Sequence, residues 1–188
     1  MDAVYTWGTG DDFKHFIPRL FELLAQTSGQ RNFVDPSSVF GRLTYESWCS
    51  SSWRTWPADE QLVLTDYFEA VWDAALNSNP EDLAFGGAYG WIQAIAQAEH
   101  DLSPYLDLWL RAPSSNAHRH LALMIAQNSL PNAKSPGGGY RGGHKQQWGQ
   151  LNEWLRLSEV HQKLTSAVER WSDSAFATEL IEAAILLP

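Results

Sequence analysis

WPADEQLVLTDYFEAVWDAALNSNP, residues 56–80, is the stretch whose reading decides the fold class of this 188-residue chain. Leu64, Tyr67, Phe68, Val71, Trp72 and Ala75 recur at steps of three and four. That spacing lines them up on one face of an α-helix and scatters them across both faces of a strand. Pro57 stands where a helix tolerates proline, at its first turn, because the missing N–H has no intrahelical partner there. Asp59 and Glu60 follow in the first turn, where negative charge meets the positive end of the helix dipole. The stretch closes on Asn79-Pro80, which reads as the start of the next helix.

The same signature appears on either side. Asp35-Pro36, Trp56-Pro57, Asn79-Pro80 and Ser103-Pro104 mark helix starts, with Asp35, Asn79 and Ser103 as capping acceptors. The prolines are 21, 23 and 24 residues apart, one helix and a turn each time. Two such steps match the roughly 40–47-residue period of HEAT-type helical pairs. Further apolar stripes of helical period run through Phe13, Phe16, Ile17, Leu20 and Leu24, through Leu121, Ala122 and Ile125, and through Leu151, Trp154 and Leu155. Val160, Leu164, Val168 and Trp171, then Leu180, Ile181 and Ala184, complete the set. Pro18 lies inside the first stripe and predicts a kink or a late helix start. No alternating run of Val, Ile and Thr suggests a strand. The expectation is a single all-α domain over 1–188, a HEAT-like stack of antiparallel helices. Because the content does not repeat with the period, an irregular helical bundle is the alternative.

Two segments depart from this pattern. In FGGAYGWIQAIAQA (85–98), Gly86, Gly90 and Ala94 are four apart and share a helix face. Glycine costs roughly 1 kcal/mol against alanine inside a helix, so the spacing predicts a neighbouring helix packed closely on that face, with a ligand against exposed backbone as the alternative. In SPGGGYRGGHKQQW (135–148), five glycines crowd seven positions. They belong to a Gly/Pro-rich loop at about 129–144, the one long connector the sequence predicts.

Composition narrows the function classes. The net charge of −9 opposes general nucleic-acid binding, which needs a positive surface. Residues 1–82 hold 13 acids against 5 bases, whereas 83–188 hold 9 against 8. No acid lies between Asp107 and Glu153, a window that contains Arg111, Arg119, Arg141, His144 and Lys145. No run approaches the roughly 20 apolar residues of a membrane span, and the N-terminal residues lack the pattern of a secretory signal. With a single cysteine, Cys49, the composition fits a cytoplasmic protein. Ten tryptophans read first as core filling and second as an aromatic groove.

Chemistry-bearing motifs are few. Gly138 and Gly143 have the gap of a phosphate-binding loop, but His144 stands where lysine is required and no strand precedes. A weaker anion site remains, built from successive glycine N–H groups, the N-terminus of the following helix, Arg141, His144 and Lys145, with Arg111 and Arg119 as further cations. His118 and His120 are two apart and diverge on a helix. His118 shares the face of Leu121 and reads as a hydrogen-bonded histidine at the core boundary. No histidine or cysteine spacing predicts a metal, no serine sits in a nucleophile elbow, and no cofactor is implied. Nothing in the sequence argues for an enzyme.

The segments TWGTGDDFKHFIPRLFELL (6–24) and WRTWPADEQLVLTDYFEAVWDAAL (53–76) resemble a group of uncharacterised bacterial all-helical proteins. In that group a Trp-Gly pair precedes a helix of the type seen here at Phe13, His15, Phe16, Pro18 and Arg19. A start like Trp53, Trp56, Pro57 and Glu60 then opens the next long helix. The resemblance covers roughly the first 80 residues and implies no chemistry, but it singles out His15 and Arg19, on the polar face of the motif helix, as candidates for a binding role.

Together these readings predict a helical protein-binding or scaffold module, acting on a protein partner or as a homo-oligomer, without nucleic acid or membrane. An immunity- or antitoxin-type inhibitor is one form of it. The competing expectation is a binder of, or an enzyme on, a small anionic ligand in the 111–145 region.

Overall fold

The computed structural model describes residues 10–25, 34–44, 52–83, 85–128 and 144–187. All regular elements among them are helical: α1 (Gly10–Ala25), α2 (Pro36–Thr44), α3 (Ala58–Asn77), α4 (Ala88–Ala98), α5 (Ser103–Arg111), α6 (Ser115–Asn128), α7 (Lys145–Trp154), α8 (Ser158–Arg170) and α9 (Ala177–Leu186). Two 3₁₀ turns, Trp53–Thr55 and Pro80–Asp82, lead towards α3 and α4.

The proline signals act as expected at α2 and α3. The Asp35 carboxylate accepts from Ser37 N–H and Ser38 N–H, closing the first turn of α2. Pro57 is the residue just before α3. Pro18 neither delays nor ends α1, which runs through it from Gly10 to Ala25 with the proline ring exposed. At α5 the capping acceptor is Asp101 rather than Ser103, whose own N–H donates to Asp101 Oδ1 at 2.9 Å.

Pro80 behaves differently. Asn79 caps it as expected, but the helix stops after the 3₁₀ turn, and α4 begins only at Ala88. Phe85, Gly86 and Gly87 all take positive φ (62°, 86° and 68°), a left-handed stretch that cannot continue a right-handed helix. The shared face of Gly86, Gly90 and Ala94 therefore does not exist, because Gly86 precedes the helix. A Cβ built at Gly90 would overlap the carbonyl oxygen of Phe85. Gly90 thus makes room for the chain's own turn, not for a neighbouring helix.

Packing is densest between α2 and α4 and between α6 and α9. α3 lies against α4, α5 and α6, and α8 closes on α5, α6 and α9. α6 is the hub, in contact with α3, α4, α8 and α9, so the fold is an all-α bundle in which helices two or three apart in the chain meet. These pairings do not single out a HEAT-like stack. Tryptophan fills the core. Trp53, Trp72 and Trp109 are fully buried. Their indole N–H groups donate to Ala98 O, Tyr105 O and Ala117 O, so no polar atom is stranded by that burial. Trp109 lies edge-on to Trp72 and stacks on Trp154, joining α3, α5 and α7 in one aromatic layer.

Candidate functional site

The described bases of the basic window do not converge on one point. Arg119, on α6, is the hub of an ion-pair network. Its Nε and Nη2 form a two-pronged contact with Glu179 of α9, at 2.8 and 3.0 Å. Nη2 also reaches Glu81 at 2.8 Å, and Nη1 reaches Asn79 at 3.2 Å. The guanidinium lies over the Phe176 ring as well. Hydrogen bonding to Arg119 holds the Glu81 carboxyl below its ordinary range. Every donor nitrogen of this arginine is engaged, so it fastens α6 to α9 and to the Pro80–Asp82 turn, and an incoming anion would have to displace two carboxylates.

His144 sits elsewhere, just before α7. Its Nε2–H donates to Gln97 Oε1 at 2.8 Å, and burial lowers its pKa. It belongs to a polar knot around the C-terminus of α4. A helix leaves its last carbonyls without intrahelical partners, and here side chains supply them. Thr44 donates to Gln97 O, Trp53 to Ala98 O, Gln147 to Glu99 O and Gln146 to His100 O. The Glu99 side chain is 4% exposed and pairs with Arg54, while Tyr105 O–H donates to its other oxygen. The Arg54 guanidinium lies over the Trp53 ring, 4.0 Å from its centroid. This knot joins α2, α4, α5 and α7 and satisfies its own polar groups.

The remaining candidates are more exposed. Arg111 donates to Asp107 O within α5, and Lys145 opens α7 on the surface. His15 and Arg19 both face solvent on α1, His15 edge-on to Phe16 and Arg19 paired with Glu22 at 2.7 Å. Arg141 and loop positions 129–143 lie outside the described residues. His118 donates to Ser114 O at 2.7 Å and is 7% exposed, the boundary histidine its spacing suggested. His120 is 3% exposed. Its Nε2–H donates to Ser78 O, and its Nδ1 accepts from Ala88 N–H, so the neutral ring ties the end of α3 to the start of α4. Burial lowers the pKa of both rings.

Two neighbouring features went unnoticed in the sequence. The first is the outer face of α3, where Asp59, Asp66 and Asp73 are seven apart, with Leu62 and Glu69 in a parallel row. Seven residues are close to two helical turns, so each row runs nearly along the helix axis. All five residues are exposed, and Leu62 and Val63 stand 61% and 66% open to solvent. Asp59, Asp66, Glu69 and Asp73 form no ion pair with any described base. The second is a groove of about 320 Å³ on the adjoining side of α3. Tyr67, Ala70, Val71 and Ala74 of α3 line it together with Leu24 of α1, Trp91 of α4 and Asp82. The signal for the first lay in the heptad of acids; the second depends on how three helices meet.

Among the described residues no cluster of His, Cys, Asp and Glu could hold a metal ion, and no helix is long and apolar enough to cross a membrane. No family model, no curated protein and no solved structure matches the chain.

Proposed function

We propose that this protein is a helical protein-binding module whose outer α3 face meets a basic partner. The observation that carries the reading is the combination on that face of acids without an ion pair to any described base and of exposed Leu62 and Val63. Both features cost the isolated protein. Asp66–Glu69 and Glu69–Asp73 are like-charged pairs at three and four residues, each destabilising a helix by a few tenths of a kcal/mol. Exposed leucine and valine gain nothing in water. A partner with lysines and arginines around an apolar patch would offset both, and its approach would be steered by charge. An inhibitor that covers a basic toxin surface is one form such a module takes.

The test is co-purification from the native host with the wild type and with an Asp66→Lys/Asp73→Lys variant shown to be folded. The expected result is a basic partner retained by the wild type, released by high salt, and lost with the charge reversal. Identical partner sets from both proteins would refute the reading.

A further inference from the structure

The acidic face borders the groove directly. Ala70 and Ala74 line the groove, and Asp66 and Asp73 lie within one turn of them on α3. Asp82, exposed and outside α3, lines the groove as well. Among the described bases on neighbouring elements, Lys14 is engaged with Glu60, Arg19 with Glu22, and Arg119 with Glu81 and Glu179. The groove thus combines apolar walls with an acidic rim. Its volume of about 320 Å³ is at the lower end for ligand pockets, which run from roughly 300 to 1,000 Å³. That size suits one or two large side chains better than a cofactor. Tyr67 offers no polar handle inside, since its hydroxyl donates to Phe21 O and its ring is stacked on Phe21.

We propose that this groove is the anchor pocket of the α3 surface, taking a large apolar side chain from a basic peptide segment whose lysines or arginines lie against Asp66, Asp73 and Asp82. The inference rests on the reading of the α3 face as a protein-binding surface. It adds the shape of the partner: an amphipathic segment with an apolar anchor and flanking positive charge, the pairing of buried anchor and polar rim that concentrates binding energy at interfaces.

A direct test uses two labelled synthetic lysine-rich helical peptides, one with a leucine face and one with that face changed to alanine. Binding is read by fluorescence anisotropy to wild type, Ala74→Phe and Asp66→Lys/Asp73→Lys. Ala74 is exposed and lines the groove, so phenylalanine there fills the pocket without entering the core. Ala70→Phe blocks it from the neighbouring turn should the first variant fail to fold, as judged by circular dichroism.

The leucine peptide is expected to bind wild type at least tenfold more tightly than the alanine peptide, the equivalent of about 1.4 kcal/mol. Ala74→Phe should abolish that difference while leaving the weaker, charge-driven binding in place. If the charge reversal removes binding but neither groove-filling variant changes it, the anchor pocket is overturned and the α3 surface survives. If the leucine peptide shows no advantage over the alanine peptide, the anchor pocket is overturned as well. If neither peptide binds wild type at low salt, both readings fall.

Discussion

Replacing Gly90 by alanine should destabilise this protein, although the usual rule for a helix interior predicts the reverse. Gly90 lies inside α4, where alanine is favoured over glycine by roughly 1 kcal/mol. The new methyl, however, would overlap the carbonyl oxygen of Phe85, with the carbonyl carbon at 2.9 Å. Both atoms are backbone and cannot swing aside as the end of a side chain would. Relief requires moving the Phe85–Gly87 turn, which the hydrogen bond from Ala88 N–H to the buried His120 ring holds in place. Overpacking of this kind costs about 3 kcal/mol at the upper end of its usual range, leaving a net loss of about 2 kcal/mol after the propensity gain.

Gly149, inside α7, is the control, because a Cβ there meets nothing within 4 Å. Gly149→Ala should stabilise by up to about 1 kcal/mol. In thermal denaturation followed by circular dichroism, Gly90→Ala is expected to lower Tm by roughly 4–8 °C and Gly149→Ala to raise it by roughly 2–4 °C. If Gly90→Ala stabilises as much as Gly149→Ala, the turn is not what requires glycine and the reasoning fails.

Three further outcomes test the fastenings of the bundle. Arg119→Met should cost about 2 kcal/mol in urea denaturation, since charge-assisted hydrogen bonds contribute roughly 1.5–3 kcal/mol. Combined with Glu179→Gln it should cost less than the sum of the two single changes, and strict additivity would mean that the pair is not coupled. Glu99→Gln should lose about 2 kcal/mol by exchanging its charge-assisted contact with Arg54 for a neutral one; an unchanged urea midpoint would count against the knot. His120 has a pKa lowered by burial, with Arg119 as the charged neighbour that adds to the effect. The native state then binds fewer protons than the unfolded one, so the stability it contributes is present above the unfolded value of about 6.5 and is lost as pH falls below it. The urea midpoint should drop between pH 7.5 and 5.5, and less steeply in His120→Gln; equal slopes would remove His120 from the account.

Much of the helical architecture was legible because its causes are local. The stripe from Leu64 to Ala75, the acids at 59 and 60, and proline before the helix all act within a few residues, and α3 forms where they place it. Pro36 with Asp35 works the same way. Pro80 misled because the signal that stops its helix is not a strong breaker at one position. It is the left-handed run at 85–87, held against His120 more than thirty residues further along. Arg119 looked like a free cation in an acid-free window. Its partners come from 38, 40 and 60 residues away, where a local charge count cannot see them.

The sequence by itself determined the helical class, the amphipathic faces and the boundaries set by proline and capping side chains, since periodicity and first-turn chemistry are properties of adjacent residues. Tertiary structure alone decided which charges are paired and which remain open. Arg119, Glu99 and His144 are consumed by contacts between distant helices, and the acids of α3 are left facing water beside an apolar groove. The physical reason is that an ion pair or a pocket depends on the packing of elements far apart in the chain, and no spacing along the chain encodes that distance.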